Sequence, residues 1–150
     1  MITEDYVSFE VAKLLKEKGF DWSCHATYDT AVTGGKPKFS EYEVLNFFPY
    51  GMKNTDDKYG MVISAPTLQM AMKWLREKYN IHVAINICYT ENPKLFQPDY
   101  YVYVDSTVTG ESLIKKLCLL VQDNSLTPKG FTSYEEACEA AIKYCLENLI

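Results

Sequence analysis

The sequence predicts an α+β fold. The expected architecture is an antiparallel sheet of about four strands, in two hairpins, with three or four helices packed mainly on one face. The predicted order is αββαββ(α)α. Three observations predict it. Three segments open on a hydroxyl residue and continue with helical apolar spacing: Ser8-Phe9-Glu10-Val11-Ala12, Thr67-Leu68-Gln69-Met70-Ala71 and Ser133-Tyr134-Glu135-Glu136-Ala137. Between them lie stretches that alternate apolar and polar residues with a period of two, the strand signature. Short connections join those stretches into hairpins.

The first helix is expected from Phe9 to Lys18. Ser8 supplies an N-cap oxygen for a free amide of the first turn. Gly19 suits the left-handed position after the helix, and Phe20 is placed to fold back on Leu15 as a Schellman contact. Residues 22–30 and 38–47 then flank the turn Thr33-Gly34-Gly35-Lys36-Pro37. In the first of these, Trp22, Cys24, Ala26 and Tyr28 alternate with Ser23, His25, Thr27 and Asp29, which predicts a half-buried strand with one polar face. After Pro49 the composition predicts a polar loop holding Gly51, Asn54, Asp56, Asp57 and Gly60.

The second helix is expected from Leu68 to Tyr79, with Leu68, Ala71, Met72, Leu75 and Tyr79 as its apolar stripe and Asn80 as its stop. In the hairpin that follows, Ile81, Val83, Ile85, Ile87 and Tyr89 take one face and His82, Ala84, Asn86 and Cys88 the other. Tyr100, Val102 and Val104 alternate with Tyr101, Tyr103 and Asp105 on the return strand. The stretch Glu111–Gln122 fits a helical stripe and also an apolar strand; the helix is favoured. A last helix is expected from Tyr134 to Asn148, its inner face made by Tyr134, Ala137, Cys138, Ala141, Cys145 and Leu149. Ser133 and Glu136 have capping-box spacing.

The 150 residues carry 15 Lys and Arg against 20 Asp and Glu, a net charge of −5. One globular domain, 1–150, is expected at this length. Hydrophobic residues at 47% exclude a disordered chain. The three similar helix starts suggest an internal αββ repeat, about 6–60 and 65–108, although shared capping chemistry produces the same likeness. No apolar run reaches the roughly 18 residues of a membrane helix. The acidic start Met1-Ile2-Thr3-Glu4-Asp5 lacks the basic region of a secretory signal. A cytoplasmic protein without membrane contact is the expectation.

Chemistry leaves few marks. Five Cys (Cys24, Cys88, Cys118, Cys138, Cys145) are scattered with no CxxC pair, so buried free thiols are expected rather than a disulfide framework or zinc cluster. Nucleotide-binding glycine loops, HExxH, GxSxG and EF-hand loops are absent. Cys24-His25 beside Asp29 is the best nucleophile candidate, but neighbours on a strand point to opposite faces. His82 supplies a base only if the hairpins bring it to Cys24. Metal binding by His25, His82 and carboxylates has no support from spacing. No cofactor, metal or catalytic residue is assigned.

The twelve Tyr are the compositional oddity. Tyr28, Tyr101 and Tyr103 are expected on an open sheet face, where exposed rings stack bases or meet a protein partner. The acidic balance disfavours phosphate contact. The leading expectation is therefore a small non-enzymatic accessory protein acting by protein–protein interaction, with self or with another chain. Single-stranded nucleic-acid binding through the Tyr-bearing face is the alternative, and a Cys/His-dependent enzyme the remote one.

The segments Ser64–Glu77, Phe131–Ala137 and Gly19–Asp29 together resemble a family of short uncharacterised proteins from gut anaerobic bacteria, their prophages and mobile elements. The resemblance touches both ends and the middle of the chain. It implies a bacterial or phage cytoplasmic setting and an accessory role, and it carries over no activity and no functional residues.

Overall fold

In the computed structural model, which describes residues 5–29, 32–33, 36–37, 45–89, 98–106 and 131–150, each helix begins on its expected hydroxyl. Ser8 Oγ accepts from the Val11 amide at 3.3 Å and starts α1 (Phe9–Glu17). Thr67 Oγ1 accepts from the Met70 amide at 3.2 Å and starts α2 (Leu68–Tyr79). Ser133 Oγ accepts from the Glu136 amide at 3.1 Å and starts α3 (Tyr134–Asn148). The reciprocal half of the expected capping box is displaced by one residue. Glu136 Oε2 accepts from the hydroxyl and amide of Thr132, at 2.6 and 3.3 Å, not from Ser133. The stops also follow local chemistry. Gly19 takes φ +83°, and the Phe20 amide donates to the Leu15 carbonyl at 2.9 Å, closing the Schellman motif. Asn80 ends α2 at φ +54°.

The described chain divides into two compact units, Met1–Ala71 and Met72–Ile150. In the first, β1 (Cys24–Asp29) is the centre of a three-stranded antiparallel sheet, flanked by β4 (Leu45–Met52) and β5 (Val62–Ser64). The very short strands β2 (Val32–Thr33) and β3 (Lys36–Pro37) pair with each other. One 3-10 turn, Asn54–Asp56, lies between β4 and β5. Helix α1 packs against β5. Its Val11, Ala12 and Leu15 are buried, as are Val7, Phe20, Ala26, Tyr28, Ile63 and Ala65. Burying a Val or Leu side chain in this way contributes about 1.5–3 kcal/mol.

In the second unit, β6 (Ile81–Tyr89) and β7 (Pro98–Ser106) form an antiparallel hairpin in unbroken register from Ile81↔Ser106 to Tyr89↔Pro98. Helix α3 packs on both strands. Its small buried residues, Ala137, Cys138, Ala141 and Cys145, let its backbone approach the sheet closely, and Ile142, Leu146, Ile81, Val102 and Val104 are also buried. Just ahead of α3, Phe131 and Tyr100 exchange backbone hydrogen bonds of 2.8 and 3.0 Å, which ties the helix entry to β7.

The α+β class follows the expectation, the element order matches it only roughly because β2, β3 and β5 are added between α1 and α2, and the limits of the three described helices differ by a residue at most. The sheet differs. The described strands form separate ladders of three, two and two strands, not a single sheet of about four. The three-residue β5 has no period long enough to recognise, and β4 runs on through Pro49 to Met52, where a loop was expected. The inner face of α3 is turned toward Ile142 and Leu146, which leaves Tyr134 exposed. The expected helix at Glu111–Gln122 lies outside the described residues. No helix among the described residues is long and apolar enough to cross a membrane.

Candidate functional site

Among the described residues of the first unit, the most solvent-exposed large apolar side chains belong to β4 and the loop that follows it: Phe48, Tyr50, Tyr59 and Met61. Their placement begins with an irregularity in the sheet. Ala26 pairs with Phe47 and Cys24 with Met52, so Phe48, Pro49, Tyr50 and Gly51 stand opposite the single residue His25. This bulge interrupts the register between β1 and β4. The Phe48 carbonyl oxygen accepts a hydrogen bond from His25 Nδ1 at 3.0 Å, which fixes the proton on that nitrogen. Gly51 then turns the chain back at φ +71°. Tyr50, at the crest, is 95% exposed.

A second turn repeats the device. Gly60 takes φ +68°, and Tyr59 before it is 84% exposed. The tripeptide Tyr-Gly-Met occurs at both places, as Tyr50-Gly51-Met52 and Tyr59-Gly60-Met61. Each glycine supplies the left-handed backbone that a residue with a Cβ adopts only under strain.

The loop between the two turns is held firmly. Asn54 bridges two elements: its Nδ2 donates to the Phe20 carbonyl at 2.7 Å, and its Oδ1 accepts from the Ser64 amide at 2.9 Å. Asp21 receives both the amide and the hydroxyl of Thr55 at 2.9 Å. Asp56 Oδ2 accepts from the Lys53 amide at 2.9 Å. Asp57 Oδ2 accepts from the Val62 amide at 2.8 Å, and its Oδ1 from the Tyr59 amide at 3.3 Å. Lys16 Nζ, from α1, donates to the Val62 carbonyl at 3.0 Å and lies 3.8 Å from Asp57 Oδ2. Burial acts to raise the Asp57 pKa. The amides of Val62, Met61 and Tyr59, with the Lys16 charge, outweigh it and hold the carboxylate below its ordinary value. Two exposed tyrosines are thus displayed on a braced scaffold, which limits the ordering entropy a binding event must overcome.

The residues picked from the sequence fall elsewhere. Tyr28 is not on an open face. It is 6% exposed, its hydroxyl donates to the Val7 carbonyl at 2.8 Å, and its ring meets Phe9 edge-on with centroids 5.5 Å apart. A ring so enclosed stacks on no base. Tyr103 is half-buried and pairs with Ala84. Tyr101 pairs with Asn86 through its backbone, and its side chain lies outside the described residues. Tyr28 stands on a different sheet from the other two. The residues that sequence reasoning passed over, Tyr50 and Tyr59, had a readable signal in the repeated Tyr-Gly-Met.

Cys24 and His25 face opposite sides of β1, the thiol buried and the imidazole exposed. Cys24 Sγ lies 3.4 Å from the Trp22 carbonyl and 3.7 Å from Met70 Sδ. Burial pushes its pKa up to about 12, and does the same to Cys145. A protonated thiol is a poor nucleophile, so Cys24 acts as a small core residue. Cys138 is likewise buried. His82 is exposed, with Nε2 3.1 Å from Asn80 Oδ1. No three His, Cys, Asp or Glu side chains among the described residues cluster as metal ligands. The chain matches no family model, no curated protein and no solved structure.

Proposed function

We propose that this protein is a non-enzymatic accessory protein that acts by binding another protein, and that the contact surface is β4 with the braced loop to Met61. The observation that carries this reading is the display of Tyr50 and Tyr59 almost wholly in solvent on a hydrogen-bonded scaffold. Rigid tyrosines offer large contact area at low entropic cost, and they recur in protein-recognition loops for that reason. Phe48 and Met61 add apolar area beside them in sequence. The mode is side-chain contact. Strand addition to β4 is opposed by Pro49, which has no amide to donate, and by the bulge around it. The buried thiols of Cys24 and Cys145, outside any disulfide, suit a reducing compartment, which supports a cytoplasmic setting.

A photo-crosslinking amino acid placed at Tyr50 or at Tyr59 tests this in cells, with exposed Arg76 as the control position. Discrete protein adducts are expected at the two tyrosine positions, suppressed by excess unlabelled protein. Combining each probe with alanine at the other tyrosine weakens capture about tenfold, as for a contact worth roughly 1.4 kcal/mol. The double variant Tyr50→Ala/Tyr59→Ala keeps its stability within about 0.5 kcal/mol, because neither ring is packed. Nuclease-sensitive adducts, or adducts no stronger than at Arg76, overturn the proposal.

A further inference from the structure

We draw no further inference here: the strongest candidate, the exposed aromatic surface patch formed by β4 and the braced loop around Tyr50 and Tyr59, belongs to the site already described, and nothing in the structure shows what covers it.

Discussion

The hydroxyl of Tyr28 donates a 2.8 Å hydrogen bond to the carbonyl of Val7, joining the central strand β1 to the residue just before the N-cap of α1. Val7 is fully buried, and its amide donates to Pro66. Tyr28→Phe leaves the Val7 carbonyl without that donor while keeping the edge-on ring contact with Phe9. The expected loss is about 1–2 kcal/mol, the cost of leaving a buried polar group unpaired. Urea unfolding reads it as a lower midpoint with an unchanged slope. A variant as stable as the parent would show that the bond contributes nothing.

The two Tyr-Gly-Met turns predict different costs for the same substitution. A Cβ on Gly60 meets open space, so Gly60→Ala carries only the left-handed backbone penalty, about 1–2 kcal/mol. A Cβ on Gly51 carries that penalty and also collides with Ser23 Oγ. The hydroxyl must leave its preferred rotamer, which adds about 0.5–1.5 kcal/mol. Ser23→Ala removes the colliding atom, and the remaining neighbours, Ser23 Cβ and the Cys24 carbonyl, lie at an ordinary 3.6 Å. The excess cost of Gly51→Ala over Gly60→Ala is therefore expected to vanish in the Ser23→Ala background. Thermal melts of the three single and two double variants decide it, and an excess that survives refutes the steric account.

Helices were legible because their signals are local. Ser8, Thr67 and Ser133 each mark a start through one hydrogen bond within three residues, and Gly19 and Asn80 mark stops through their own backbone angles. Pairing was less legible because it is set at a distance. The alternation along Cys24–Asp29 identifies a strand, but not that Ser64 and Asn46 flank Thr27 on its two sides. The tyrosines illustrate the same limit. Period two places Tyr28 among the apolar positions of its strand, and its burial follows that pattern, not the open face expected for its ring. Tyr50 and Tyr59 owe their exposure to a bulge and two glycine turns, which no period describes. The Tyr-Gly-Met repeat was their only trace in the sequence.

Asp57 makes stability depend on acid. Its folded pKa lies below the ordinary 3.8, because the amides and Lys16 favour the carboxylate more than burial disfavours it. The unfolded chain therefore binds the proton more readily. The stabilisation is fully present above the unfolded value, near pH 4, and is lost as pH falls through the lower folded value. Asp57→Asn removes this dependence. The parent is expected to be more stable than the variant at pH 7 and pH 5, with the gap closing as pH falls below the ordinary value of 3.8. Urea midpoints across that range measure the gap. A gap that stays constant with pH would mean that the charge on Asp57 contributes nothing.

Thr27 predicts a gain. It sits at the centre of β1, 1% exposed, between Asn46 on β4 and Ser64 on β5. Alternation assigned it to the polar face with His25 and Asp29, and those two are exposed while Thr27 is not. Its Oγ1 has no hydrogen-bond partner among the described residues. The single hydroxyl proton of neighbouring Ser64 is committed to the Met52 carbonyl at 3.2 Å, so Ser64 donates nothing to Thr27. A buried hydroxyl without a partner costs about 1–3 kcal/mol relative to a satisfied one. Thr27→Val keeps the β-branched shape that suits a central strand and replaces the unpaired oxygen with a methyl group. The variant is expected to be more stable than the parent by about 0.5–1.5 kcal/mol, the part of that cost left after the slightly larger methyl is fitted. Chemical denaturation measures the difference directly. A loss of 1 kcal/mol or more, by the same reasoning, would show that the Thr27 hydroxyl is engaged by a polar partner in solution.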